Sequence, residues 1–228
     1  FKLSSFENTL GLQIVCQSLF GKIIRQNDSW IFFLCDEMSC LILFFVILHS
    51  VQNDTWNYFL TFAPINKRTM IINNEIKFAE KVVLIDAAYI NKVTADLSHH
   101  FGSMIGRELP KADLPIFLEC VAMDAAIQPG DNVLQVLFVY DKAQPRMDAF
   151  VPGDLKKELN DVAFKSQLGE FQLNTFEPSD MANREDFFLE SVKLVADAKE
   201  VKHLVIIPSE TEYADKLPEI LEKVDGKE

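Results

Sequence analysis

The chain has 228 residues, 49% hydrophobic and 25% charged, which suits one large globular domain or one domain with an extension. Its formal charge of −12 argues against a broad, sequence-independent grip on nucleic acid, because neutralising phosphates takes clustered Lys and Arg. The four cysteines (Cys16, Cys35, Cys40, Cys120) include no CxxC pair, so unpaired thiols in a reducing, cytoplasmic compartment are expected.

Residues 1–69 differ from the rest. They hold both tryptophans, Trp30 and Trp56, and nine of the nineteen phenylalanines. Their five Lys/Arg balance five Asp/Glu, so the whole net charge lies beyond them. The apolar run CLILFFVIL at 40–48 is shorter than the roughly 20 residues a membrane-spanning helix needs. It also comes too late for a signal peptide, and no membrane contact is expected. Residues 1–69 read as an irregular N-terminal extension, either an over-extended bacterial-type reading frame with Met70 as the true start or a native addition. The working domain is expected at 76–228.

Within that domain the pattern becomes regular. KVVLIDAAYI, residues 81–90, is a β-branched run of the kind found in strands buried on both faces, and Asp86 ends its most apolar part. Ile90, Val93, Leu97, Phe101 and Met104 then recur at helical spacing, with Gly102 and Gly106 loosening the end. Asp113 is placed to cap a second helix, with Pro115 in its first turn. PGDN at 129–132 is turn chemistry, and VLQVLFVYD at 133–141 predicts a second strand ending in Asp141. DLKKELNDVAF predicts a short helix, and EFQLNTFEP at 170–178 a third strand. Ser179 or Asp180 is expected to open a helix from about Met181 to Ala198. HLVIIP predicts a fourth strand, and SETEYADKLPEILEKV a last helix with Ser209 and Glu212 as a capping box.

Strands alternating with helices predict a three-layer, Rossmann-like α/β domain with a mainly parallel sheet. In such sheets ligands bind beyond the carboxyl ends of the strands. Asp86, Asp141, Glu210 and Glu212 all fall at those ends. Carboxylates gathered there repel unless a cation neutralises them, and Mg²⁺ or Mn²⁺ suits oxygen ligands. A plainer reading exists for each. Capping and the helix dipole account for Glu210 and Glu212, and Asp141 is a polar strand end. Asp186 and Glu190 lie one turn apart and form a solvated stripe, while His99 and His100 belong to a helix surface. Ser98 and Ser209 have no base beside them in sequence. No GxxxxGK[ST] and no GxGxxG follows the first strand, which argues against phosphate-loop and ordinary dinucleotide binding.

VVLIDAAYIN resembles the opening strand of NYN domains, of the PIN-like ribonuclease superfamily. IPSETEY resembles that family's later Ser-Gly-Asp-Ser-Asp-Phe signature, and the likeness covers about residues 80–224. It implies a PIN-like fold and metal-dependent hydrolysis of RNA. Carried over by position, Asp86, Glu210 and Glu212 would hold Mg²⁺ or Mn²⁺, Asp186 would help orient water, and Asn91 would be a polar partner of Asp86. Tyr213 matches the signature aromatic. Ser209 replaces the signature glycine and glutamates replace both late aspartates, lengthening each arm by one methylene where Mg²⁺ tolerates little error. The resemblance therefore implies a divergent NYN/PIN-like protein, either a weak ribonuclease or a form that has lost catalysis. The alternatives are a non-enzymatic protein-interaction module, homodimeric or with another partner, and a small-molecule phosphatase.

Overall fold

The computed structural model describes residues 77–179 and 182–222. Before them it describes only β1 (Ile24–Gln26), β2 (Ser29–Ile31), β3 (Ala63–Pro64), β4 (Ile71–Ile72) and β5 (Glu75–Ile76). The main run begins with β6 (Lys81–Asp86) and α1 (Ala87–Ile105), then β7 (Ala112–Asp113), α2 (Leu114–Asp124), β8 (Val133–Val139) and β9 (Phe150–Val151). It continues with β10 (Val162–Ser166), β11 (Gly169–Phe176), α3 (Arg184–Asp197) and β12 (His203–Ile207). A 3₁₀ turn (Ala214–Lys216) and α4 (Leu217–Leu221) end it.

The main sheet runs β1-β2-β12-β6-β8-β11-β10-β3. β12, β6, β8 and β11 are mutually parallel, as is β2 against β12, whereas β10 runs antiparallel to β11 and the edge pairs are antiparallel. The domain is therefore α/β with a mixed, mostly parallel sheet, in a Rossmann-like layout. Period-two alternation along β6 explains the layering. Val83 and Ile85 face the core shared with α1 and α2, where Phe117, Leu118, Val121 and Phe138 pack. Val82 and Leu84 face the opposite core, formed with α3 and α4 around Phe188, Val192, Tyr213 and Leu217. Asp86 has the parity of Val82 and Leu84, so the α3 layer meets it.

Strand order also locates a topological switch point. From β6 the chain moves outward to β8 and β11, then returns across the other face through α3 to β12, on the far side of β6. The direction of winding reverses between β6 and β12, and open α/β sheets bind ligands beside such a boundary.

One helix starts and another ends as the sequence suggests. Asp113 Oδ1 accepts the Ile116 N–H at 3.0 Å with Pro115 in the first turn, and α1 ends at Gly106 in the left-handed region (φ 72°). Strands β8 and β11 stop two residues short of their expected ends. Other expectations are corrected. DLKKELNDVAF is not a helix. Asp154 Oδ1 accepts the N–H groups of Lys156 and Lys157, and Glu158 Oε2 those of Gly153 and Asp154, which closes a turn. Asp161 at φ 55° then redirects the chain into β10. Side chains that bond their own neighbourhood compete with a helix in this way. The helix of residues 181–198 starts later, with Asn183 as its cap: Asn183 Oδ1 accepts the Asp186 N–H at 2.7 Å. The last helix shrinks to α4, and Ser209 and Glu212 form no capping box. Instead the Ser209 carbonyl accepts from Tyr213 and Ala214, a turn that brings Tyr213 inward.

The expected extension, residues 1–69, lies outside the described residues apart from β1 and β2 at one edge of the sheet and β3 at the other. Cys16, Cys35 and Cys40 fall outside them too, and Cys120 is half-buried on α2. Among the described residues no helix is long and apolar enough to cross a membrane.

Candidate functional site

Asp86 stands at this switch point, at the carboxyl end of β6. It ends β6 and caps α1, its Oδ1 accepting the Tyr89 N–H at 3.1 Å. The residue is fully buried. Its Oδ2 accepts a short hydrogen bond from the Tyr213 hydroxyl and lies 3.2 Å from Arg184 Nε. That Nε makes no directed hydrogen bond, so the contact is one of charge more than of fit. The other end of the guanidinium donates to Glu212 Oε2. Arg184 thus joins two acids separated by most of the domain. Glu210 takes a different partner, accepting from the Tyr89 hydroxyl at 3.2 Å.

The electrostatics follow from burial. Desolvation pushes the Asp86 carboxyl upward, against the Tyr213 hydroxyl, Arg184 and the Tyr89 N–H, with Glu212 adding to the rise. Burial works against the Arg184 cation too, but the charges of Asp86 and Glu212 outweigh it and hold Arg184 protonated. Both partners therefore move the same way. The guanidinium stays charged throughout, and Asp86 carries its charge at a cost. Burial, the Asp86 charge and its hydrogen bond all hold the Tyr213 phenol in its neutral, donating form.

The remaining residues singled out from the sequence are placed as follows. Asn91 on α1 accepts the Ala149 N–H at 2.9 Å, tying the loop after β8 to that helix. Asp141 is exposed, and its Oδ1 accepts the Ala143 N–H at 3.0 Å in a local turn. Asp186 and Glu190 are exposed on α3. The side chain that reaches Asp86 from α3 is Arg184, two residues before Asp186.

The donor set does not fit a divalent ion as it stands. Both Asp86 oxygens and Glu212 Oε2 already serve an N–H, an O–H and a guanidinium. An ion needs those lone pairs and would have to share the space with an existing positive charge. Among the described residues no three Asp, Glu, His or Cys side chains are grouped to hold one.

Comparison with known families gives one result of substance. The model of a family of unknown function, DUF6621, matches residues 75–228, about two thirds of the chain. The chain belongs to DUF6621. No curated protein and no solved structure matches it.

Sequence reasoning missed two residues of the rim in this DUF6621 domain. Arg184 had a signal, because Asn183 three residues before Asp186 fits a helix cap and puts Arg184 at the helix's first position. Tyr89 had none, since its hydroxyl is positioned by the tertiary fold. A second cluster stands on the same edge of the sheet, beyond β8 and β11. There the Tyr140 hydroxyl donates to Glu177 Oε2 at 3.1 Å, and Lys156 Nζ lies 2.7 Å from the same oxygen.

Proposed function

We propose that this DUF6621 domain is a divergent PIN-like scaffold of the NYN kind that has lost metal-dependent hydrolysis and works in the cytoplasm as a protein-interaction module. One observation carries the reading. The acids that match the NYN metal ligands are already engaged by protein groups, Asp86 and Glu212 by the one guanidinium of Arg184 and Glu210 by a hydrogen bond from the Tyr89 hydroxyl. Metal-assisted hydrolysis needs such carboxylates turned toward an ion, and here they turn toward protein donors and a guanidinium. The Rossmann-like layout, with its switch point at β6 and β12, supports the scaffold part of the proposal. The excess of acid supports a basic protein partner over RNA.

The test is incubation with single-stranded RNA in millimolar Mn²⁺ and Mg²⁺, with sedimentation over a range of protein concentrations alongside. The proposal expects intact RNA and a mass that rises with concentration or on adding a basic partner. RNA cleavage abolished by Asp86→Asn would overturn it and restore the weak ribonuclease.

A further inference from the structure

We infer that Arg184 is the structural replacement for a divalent ion: a cation, built into the chain, that holds the rim together in the absence of metal. The inference rests on the reading above and concerns what keeps the silent rim folded. A carboxylate withdrawn from water as fully as Asp86 needs a positive charge or several donors against it. The groups facing it come from three elements: the Tyr89 N–H on α1, the Tyr213 hydroxyl after β12, and Arg184 opening α3, with Glu212 beyond the guanidinium. Arg184 is the cation among them. It also does what a bridging ion does, linking an acid at the end of β6 to one beyond β12. Because the guanidinium sits on the first residue of α3, bringing it to Asp86 also docks the start of that helix over the end of β6.

The experiment compares thermal unfolding of the full chain, Arg184→Ala, Arg184→Gln and Arg184→Ala/Asp86→Asn, each in EDTA and in millimolar MnCl₂. Native protein should melt at the same temperature in both. Arg184→Ala and Arg184→Gln should each lose about 5 °C in EDTA and regain much of it in MnCl₂. The double variant should show no gain. An Arg184→Ala chain that folds only with Mn²⁺ supports the inference equally. If both single variants melt like the native chain, or neither responds to Mn²⁺ while the native chain is also silent, the inference fails and the proposed function stands. A native chain that Mn²⁺ stabilises overturns the proposed function itself.

Discussion

Two tyrosine–carboxylate–cation clusters sit on the carboxyl edge of one sheet, and they behave in opposite ways. In the first, Tyr213 and Arg184 converge on Asp86, with side-chain exposures of 0% for Asp86 and 19% for Arg184. In the second, Tyr140 and Lys156 converge on Glu177, with exposures of 44% for Lys156 and 36% for Glu177. The Glu177 carboxyl is held below its ordinary value, first by the Lys156 hydrogen bond and then by that of Tyr140, and burial opposes them weakly. The Asp86 carboxyl has comparable donors, yet burial outweighs them and pushes it up. Residue types and contacts are nearly shared, so the depth of water exclusion sets the sign. An ion pair at the surface stabilises its acid. The same chemistry under α3 leaves an acid that depends on every one of its partners.

The comparison breaks most sharply at Asp86. Asp86→Ala removes the α1 cap, strands the Tyr213 hydroxyl and leaves Arg184 with Glu212 alone. Removing one partner of a buried pair costs about 3–5 kcal/mol, and the low end applies because Arg184 keeps some solvent. Urea unfolding should show a loss of about 3 kcal/mol with an unchanged slope, and a loss below about 1 kcal/mol would mean that the rim does not hold the fold. Tyr213→Phe is gentler. Its ring still packs on Phe188, with centroids 5.3 Å apart, while Asp86 Oδ2 loses its hydroxyl donor. A hydrogen bond to a charged acceptor suggests about 2 kcal/mol, read the same way.

How much of this was legible depended on whether local chemistry or tertiary contact did the work. β6, β8 and β12 announced themselves through apolar runs and β11 through alternation, and the order of strands with helices put Asp86, Glu210 and Glu212 at one edge. β10 did not. Leu155 and Leu159 mimic one face of a helix, while Asp154 and Glu158 spend their side chains on a turn and Asp161 adopts a left-handed backbone. The last helix misled for a related reason. Ser209 and Glu212 have cap spacing, but Glu212 gains a guanidinium partner and the Ser209 carbonyl anchors a turn. The acids themselves were readable. Their neutralising partner was not, because the charge on Arg184 acquires a meaning only when α3 is laid over the end of β6.

A pH series sharpens the contrast by sign. For Asp86 the folded value lies above the unfolded 3.8, so the folded state binds its proton more tightly. Its contribution is complete below pH 3.8 and is lost as pH rises through the folded value. For Glu177 the folded value lies below the unfolded 4.5, so its contribution is present above 4.5 and lost as pH falls through the folded value. The stability difference between the native chain and Asp86→Asn should therefore shrink as pH climbs from about 4, whereas that between the native chain and Glu177→Gln should grow up to about pH 4.5. Parallel slopes would remove burial as the deciding difference.

Salt gives the smallest effect. Lys156 and Glu177 are open to water, and mobile ions screen exposed charges beyond about 10 Å at 0.1 M and more closely as salt rises. Lys156→Ala should lower the melting temperature slightly in dilute buffer, less than any change above, and the deficit should vanish in molar NaCl. Arg184→Ala should keep its deficit in the same salt, because ions do not enter the space between a fully buried carboxylate and the guanidinium against it. NaCl is the right additive, since a monovalent ion cannot bridge Asp86 and Glu212 as Mn²⁺ would. If molar NaCl erased both deficits alike, Arg184 would be one more surface charge, and the two clusters would differ only in name.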